Sequence, residues 1–514
     1  MKNYLFILTI TPIHNFIAQA RTTKDFYVGS QIISDLIKEL IKKFDKEDII
    51  FPYPKSNSLS NKIIAKIYIE EFEKLTQELK QIVDNFIETK LFSINLNSKE
   101  LNTKQLKDVF KLFYTAVKIN NYKDSYLEAE KNIANIKNLR PFIQVESKNI
   151  CYVCAEREAF YRDNKNRDRC GVCYLKEKYN NKSYLSTAGI ATLDWVNSEY
   201  INKENYKIYK SKFKNFDEEL LYEENLNKQY LESNYKIFSK TDIKELKELL
   251  NNISNIKPSK QYALINFDGD NIGKILSMGL NGIELEQFHN EFSKKLSDFS
   301  QEINNIFNDK IGRVIYSGGD DFLGFLNLIY LDEVINRIKD KFDEIVNVYD
   351  TKISYSTSII ISHYKAPLHK IILFSRRLLE ETKQRYSSKD NLIKGGIGLE
   401  IYSSSSNLAK FIGTYKDFNN LKVFKNRKVN LYQLEKLFSF AKENENFDEY
   451  LNVLEMLKVD LRRFFSKKDI EFSKTDIAII EELLVSQVKD NNIDLDNFFG
   501  FFKIIEQLSK DSNE

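Results

Sequence analysis

Two stretches decide the reading of this chain: YALINFDGDNIGKIL at residues 262–276 and YSGGDDFLGFLNL at residues 316–328. Each joins a β-branched, aromatic run to a turn of glycine and aspartate, as a strand ending in a tight loop does. The spacing predicts strands over 261–267, 312–317, 321–328 and 353–361, and amphipathic helices over 284–306 and 331–348. The resulting β-α-β-β-α-β order is that of a ferredoxin-like palm, in which the first and third strands are neighbours. Asp268 and Asp320 are therefore expected side by side at one sheet edge, with Asp321 next in the chain. Clustered carboxylates repel one another unless a cation lies between them. Hard oxygen ligands suit Mg²⁺ or Mn²⁺, which also hold nucleotide phosphates. Gly318 and Gly319 would let the hairpin turn tightly and let phosphate oxygens approach the backbone. Either motif alone fits an ordinary polar turn; both on adjacent strands of one palm point to a metal site.

Upstream, Cys151-x2-Cys154 and Cys170-x2-Cys173 stand fifteen residues apart. Two knuckles at this spacing close a tetrahedral Zn²⁺ site. Four thiolates leave no open position, so the zinc is structural. Arg157, Arg162, Lys165, Arg167 and Arg169 lie between the knuckles, as a solvated loop or as contacts to RNA backbone. At the start, YLFILTI (4–10) reads as a strand and 24–44 as a helix, with further amphipathic helices over 68–92 and 104–118. The segment Gln19–Asp25 at that helix start suits a cap or a phosphate contact. Residues 367–386 form another helix, carrying Ser375-Arg376-Arg377 and Lys383, and 203–252 and 430–510 read as helical with Lys/Glu-rich faces. The residues read as α+β: an opening domain that starts strand–helix, a four-cysteine zinc-binding insertion, a ferredoxin-like palm and a C-terminal all-α domain. The divisions expected are 1–150, 151–180, 181–257, 258–400 and 401–514.

The composition agrees. The 514 residues carry 77 Lys+Arg and 74 Asp+Glu, so 77 − 74 gives +3, excluding a wholly basic nucleic-acid coat and an acidic tail protein. With 37 Phe and 29 Tyr, packed cores are ample and extensive disorder is excluded. No apolar run reaches the length of about 18 residues that a membrane span needs. The run Leu5–Ile10, with Thr9 inside it, reads as a buried strand and not as a signal peptide, so a cytoplasmic protein is expected. His14, His289, His363 and His369 form no close pair and are expected at the surface or at strand ends. No phosphate-binding Walker loop and no Gly-x-Ser-x-Gly elbow occurs.

TPIHNFIAQARTTKDFYVGSQIISDL (11–36), the two knuckles, YLSTAGIAT (184–192), the 262–276 stretch, HNEFSKKLSDF (289–299), YSGGDDFL (316–323) and ISHYKAPL (361–368) come in one order. In these motifs the chain resembles the large subunit of type III CRISPR effector complexes, of the RAMP-module (III-B) kind, over roughly residues 1–390. The resemblance implies two facing palms that join ATP molecules into cyclic oligoadenylates when guide RNA pairs with target RNA. It implies that Asp268, Asp320 and Asp321 hold two Mg²⁺ or Mn²⁺ ions with Asp270 nearby, and that Gly318 and Gly319 shape a phosphate-contacting turn. It further implies that Lys383 meets a triphosphate and that Gly29, Ser30 and Ser34 line the first palm's nucleotide pocket. Partners implied are guide RNA, target RNA and other CRISPR-associated subunits, including the small helical one, with no membrane. Many members begin with a histidine-aspartate nuclease domain; this sequence starts at the first palm, so DNA cleavage is not expected of it. SSKDNLIKGGIGLEIYSSSS (387–406) fits the family's closing strand poorly. Some members without the nuclease domain join AMP to S-adenosylmethionine, so an AMP conjugate stands beside the cyclic product. Two other readings are a diguanylate-cyclase-like enzyme, which leaves the knuckles and first palm unexplained, and a non-catalytic scaffold subunit, against which the three aspartates argue.

Overall fold

The structure is a computed structural model. It describes residues 2–511 apart from 57–59, 94–104, 108, 139–148, 164–165, 181, 236–239, 280–281, 348–352, 388–393, 404–406, 425–426, 428, 440–449, 467–471 and 490–491. The first palm runs β1 (Tyr4–Thr11), α1 (His14–Ala18), α2 (Thr23–Ile41), β2 (Ile49–Phe51), β3 (Lys62–Ile67), α3 (Phe72–Ser93), β4 (Lys111–Lys118) and α4 (Tyr122–Asn138). Its sheet order, β2-β3-β1-β4, is the ferredoxin-like arrangement. β1 is an unbroken apolar run because both of its faces are covered. Leu5 and Ile7 join one core, while Phe6, Leu8 and Ile10 join the other.

Residues 111–118, expected within a helix over 104–118, are instead strand β4, paired antiparallel with β1. The alternation explains it: Leu112, Tyr114 and Ala116 pack on one core, Phe113 and Val117 on the other. That is a period of two, suited to a sheet.

The four-cysteine module follows and ends in α5 (Gly171–Lys178); α6 (Thr187–Ala191) docks on the second palm, where Asn327 Nδ2 donates to Ala191 O at 2.9 Å. The region expected to be helical over 203–252 is a set of shorter pieces, Lys203–Ser211, Lys228–Asn234 and Lys240–Asn251, around Trp195, Tyr209, Leu220 and Leu246.

The second palm contains β5 (Gln261–Gly269), α7 (Leu285–Ile306), β6 (Gly312–Ser317), β7 (Asp321–Asn327), α8 (Leu331–Ile345), β8 (Tyr355–His363), α9 (Leu368–Arg385), β9 (Gly396–Tyr402) and β10 (Asn407–Thr414). The sheet order is β10-β9-β8-β5-β7-β6, which sets the first and third strands of the unit, β5 and β7, side by side as expected. β9 pairs parallel with β8, so the stretch after Lys383 does supply a further strand, and β10 extends the sheet once more. The expected boundary at 400/401 falls inside β9. The run IGLEIY hides its strand character behind Glu400, which is buried and receives both of its bonds from Arg377 Nη2, each at 2.9 Å.

Helices Tyr415–Phe424, Leu431–Leu437, Tyr450–Phe465, Lys474–Ser486 and α10 (Leu495–Asp511) follow β10. They are a C-terminal helical layer on the sheet edge. Among the described residues, no helix is long and apolar enough to cross a membrane. α10 crosses β10 closely: a Cβ on Gly500 would lie 1.9 Å from Lys410 O. Asn497 covers the open strand edge, accepting from Ile412 N at 2.8 Å and donating to Ile412 O at 2.7 Å. Gly500→Ala must push the helix off the sheet. It is expected to lower stability by about 1–3 kcal/mol, the usual cost of overpacking, read as a lower urea midpoint.

Candidate functional site

Asp268, one residue from the end of β5, stands directly opposite Asp321, the first residue of β7. The pairing expected with Asp320 is thus corrected: the β5–β7 register sets Asp321 opposite Asp268, while Asp320, one residue before β7, accepts at its carbonyl oxygen from Gly269 N at 3.0 Å. Cross-strand partners point to the same face, so Asp268 and Asp321 open together into one cavity of about 250 Å³. Asp320 does not line it. The hairpin requires its glycines. Gly319 has φ +102°, and a Cβ on Gly318 would meet Tyr316 Oη at 2.2 Å.

The three carboxylates act on one another. Burial, then the charge of Asp268, pushes Asp320 up to about 7, and burial with Asp268 and Asp320 holds Asp321 well above the usual carboxylate range. Lys383 opposes both shifts and ion-pairs with Asp268. Arg376, on the same helix, counters the charge on Asp321. Such a cluster needs positive charge, and a divalent cation fits the donor set. Among the described residues, however, the three carboxylates do not converge as tightly as the four thiolates do.

An unfolded aspartate titrates near 3.9. Between about pH 4 and pH 7 the folded Asp320 therefore holds more proton than the unfolded one, and it lowers stability as pH rises through that window. Without added divalent ions, Asp320→Asn is expected to gain melting temperature over the parent increasingly from pH 4.5 to 7.5. A constant difference across that range would count against the assignment.

The structure places the other expected residues as follows. Asp270 is buried and fully engaged: Oδ1 accepts from Ser356 Oγ at 2.7 Å, Oδ2 from Ser354 Oγ at 2.6 Å and from Gly395 N at 2.8 Å. It ties β5 to β8 and does not line the cavity. Gly29 and Ser30 are buried in α2, where a Cβ on Gly29 would meet Ile17 Cα and Lys176 Nζ at 3.3 Å. Neither they nor Ser34 line the cavity that holds Asp268 and Asp321. The first palm instead reaches the carboxylates through His14 and Ile17 of α1. Sequence reasoning missed His14 and the cavity residues Asn266, Tyr316 and Glu380. A histidine just past the proline that ends the first strand was the available signal for His14. His289 is not at the surface either; it is buried between the palms, bonded to Tyr122 and Leu276.

The four Sγ atoms lie within 4.8 Å of one another, and Cys154 and Cys170 are 3.8 Å apart. A tetrahedron with Zn–S of about 2.3 Å has edges of about 3.8 Å, so the cluster fits zinc. The arginines between the knuckles are committed internally. Arg169 is buried against Asp163 and Glu177, Arg167 pairs with Asp163, Arg162 with Asp168, and Arg157 donates to Gln19. Lys165 lies outside the described residues.

The class that this architecture defines is a double-palm protein with a four-cysteine insertion and paired carboxylates on the second palm. Residues 261–393 match the family model "Cas10/Cmr2, second palm domain", and residues 5–141 match "CRISPR-associated protein Cmr2, N-terminal". The chain belongs to this family, the large subunits of type III CRISPR effector complexes. It is 22% identical to the CRISPR system Cmr subunit Cmr2 of Pyrococcus furiosus, covering 98% of this chain and 74% of that one. Its fold resembles a chain of the type III-B Cmr-beta complex bound to cognate target RNA, with TM-score 0.62 and 15% identity over 99% of this chain and 83% of that one. A chain of the apo Cmr-beta structure gives 0.61 and 14% over 98% and 82%.

Proposed function

We propose that this subunit is a nucleotidyltransferase within an RNA-guided antiviral complex in the cytoplasm. On binding of target RNA to the guide, it uses ATP to make a nucleotide second messenger. The product is a cyclic oligoadenylate or an AMP conjugate such as one with S-adenosylmethionine. The observation that carries this reading is the Asp268–Asp321 pair, opening into a cavity that the first palm helps to wall. Family membership supports the setting: guide RNA, target RNA and further CRISPR-associated subunits, including the small helical one.

In this reading Asp268 and Asp321, with Asp320 behind them, hold two divalent ions. Bound there, Mg²⁺ or Mn²⁺ would supply an acidified 3′-hydroxyl and a charge partner for departing pyrophosphate. Lys383 and Arg376 compensate phosphate charge from α9, and the Gly318-Gly319 turn leaves room for phosphate oxygens beside the backbone. No protein nucleophile is needed, because positioning and charge stabilisation carry phosphoryl transfer.

The test is mass spectrometry of products from the assembled complex given ATP, with and without S-adenosylmethionine and with and without complementary RNA. A new adenylate product that depends on RNA supports the reading. Turnover of GTP in preference to ATP, or no product from either, overturns it.

A further inference from the structure

α1 has five residues and no side-chain cap at its start, too little to hold itself as a helix. Residues 14–21 are instead held from two sides. From the second palm, Arg376 Nη2 donates to His14 O at 2.6 Å, and Arg21 Nη1 lies 3.2 Å from His369 Nδ1. Both partners sit on α9, two turns apart. From the zinc module, Arg157 Nη1 donates to Gln19 Oε1 at 2.7 Å, and Gln19 Nε2 donates to Glu156 Oε2 at 2.5 Å. Lys176, on α5 just after the last cysteine, donates to Gln19 O at 3.0 Å and to Phe16 O. Its ammonium lies 4.2 Å from the centre of the Phe16 ring.

Lys176 is fully buried. A buried ammonium without a carboxylate partner is costly, and an apolar side chain would fill the same space more cheaply. What the lysine provides is direction: it fixes two carbonyls of one short segment. At the far end of that segment stands His14. Its side chain keeps 62% of its surface exposed and lines the carboxylate cavity, with Nε2 3.5 Å from Asp321 Oδ2. Its backbone oxygen is pinned, and its ring stands edge-on to Tyr316 at 6.5 Å. The neighbours Phe16, Ile17 and Ala20 are all buried. The segment thus presents one polar ring to the cavity from an otherwise apolar anchor.

We propose that His14 is a substrate-positioning residue of the second palm's site, delivered by the first palm and held in place by the zinc module through Lys176 and Gln19. Its ring N–H contacts an oxygen of the nucleotide triphosphate or ribose bound beside Asp321. This deepens the reading of the site as an ATP-using one and rests on it. It also gives the zinc insertion a task beyond local folding: the distance from the thiolates to the reacting phosphate is bridged by one short, clamped segment.

The experiment compares the assembled complex carrying His14→Ala, His14→Asn, Lys176→Met and the double change His14→Ala with Lys176→Met. The readouts are kcat and KM for ATP, calorimetric binding of Mg·ATP, zinc content and melting temperature. His14→Ala is expected to lower kcat/KM at least tenfold with zinc content and melting temperature unchanged. His14→Asn, which keeps an N–H donor, should restore most of that loss. Lys176→Met should reduce kcat/KM with zinc retained, and the double variant should be no worse than His14→Ala, because both act through one contact. His14→Ala within twofold of the parent overturns the role of His14. Additive losses in the double variant overturn the link to the zinc module. If the parent binds Mg·ATP but forms no product, the proposed reaction falls and His14 is judged by the binding constants alone. If the parent neither binds nor turns over ATP, both fall.

Discussion

Replacing Asp321 by asparagine is expected to cut nucleotide transfer about a thousandfold. A carboxylate that holds a divalent ion contributes several kcal/mol of charge stabilisation in the transition state, and about 4 kcal/mol corresponds to three powers of ten. The fold should survive. Burial, with the charges of Asp268 and Asp320, holds the Asp321 carboxyl well above the usual range, so neutralising it removes a buried charge and relieves repulsion in the native state. The geometry also ranks the variants. Asp321 lines the cavity and Asp320 does not, so Asp321→Asn should lose more activity than Asp320→Asn. Changing both to alanine should abolish product while leaving assembly with guide RNA intact. Labelled product from ATP in the double variant at a rate near the parent's would remove the site assignment.

The second large effect is expected on withdrawing zinc. One equivalent per chain should be found by elemental analysis. Structural zinc in small modules binds with an apparent free energy of about 10–16 kcal/mol, comparable with the whole stability of a domain. Cys151, Cys170 and Cys173 are buried and Cys154 half-buried, and residues 151–178 contribute Cys151, Val153, Cys170, Val172 and Leu175 to the core of the first palm. Cys170→Ser with Cys173→Ser, or prolonged chelation, should therefore lower the melting temperature markedly. It should also expose the segment at 14–21 to proteolysis. A metal-free protein with an unchanged melting temperature would end the zinc assignment.

Much of this was legible in the residues. The continuous apolar run of β1 announced a strand covered on both faces. The glycine-aspartate turns announced strand ends in a ferredoxin-like order, and the cysteine spacing announced a metal knuckle. These signals are local, so they survive without knowledge of the tertiary structure. β4 was misread because LFYTAVK carries apolar residues on both of its faces and so resembles a helix segment of similar length. β9 was obscured by one glutamate whose partner, Arg377, lies 23 residues away in sequence. Asp270 was expected near the metal ions from the resemblance alone; it is instead taken up by Ser356 of β8 and by Ser354 just before that strand.

The residue types and their order were sufficient for the second palm, the cysteine cluster and the neighbourhood of the carboxylates. These follow from short-range steric and periodic rules acting within a few residues. Which aspartate faces the cavity, whether a charged side chain meets solvent or another charge, and that His14 stands over Asp321 were decided only by packing. A one-residue difference in strand register turns a side chain to the opposite face, and a contact between positions 14 and 321 is created by the docking of two palms and a four-cysteine module that no local pattern encodes.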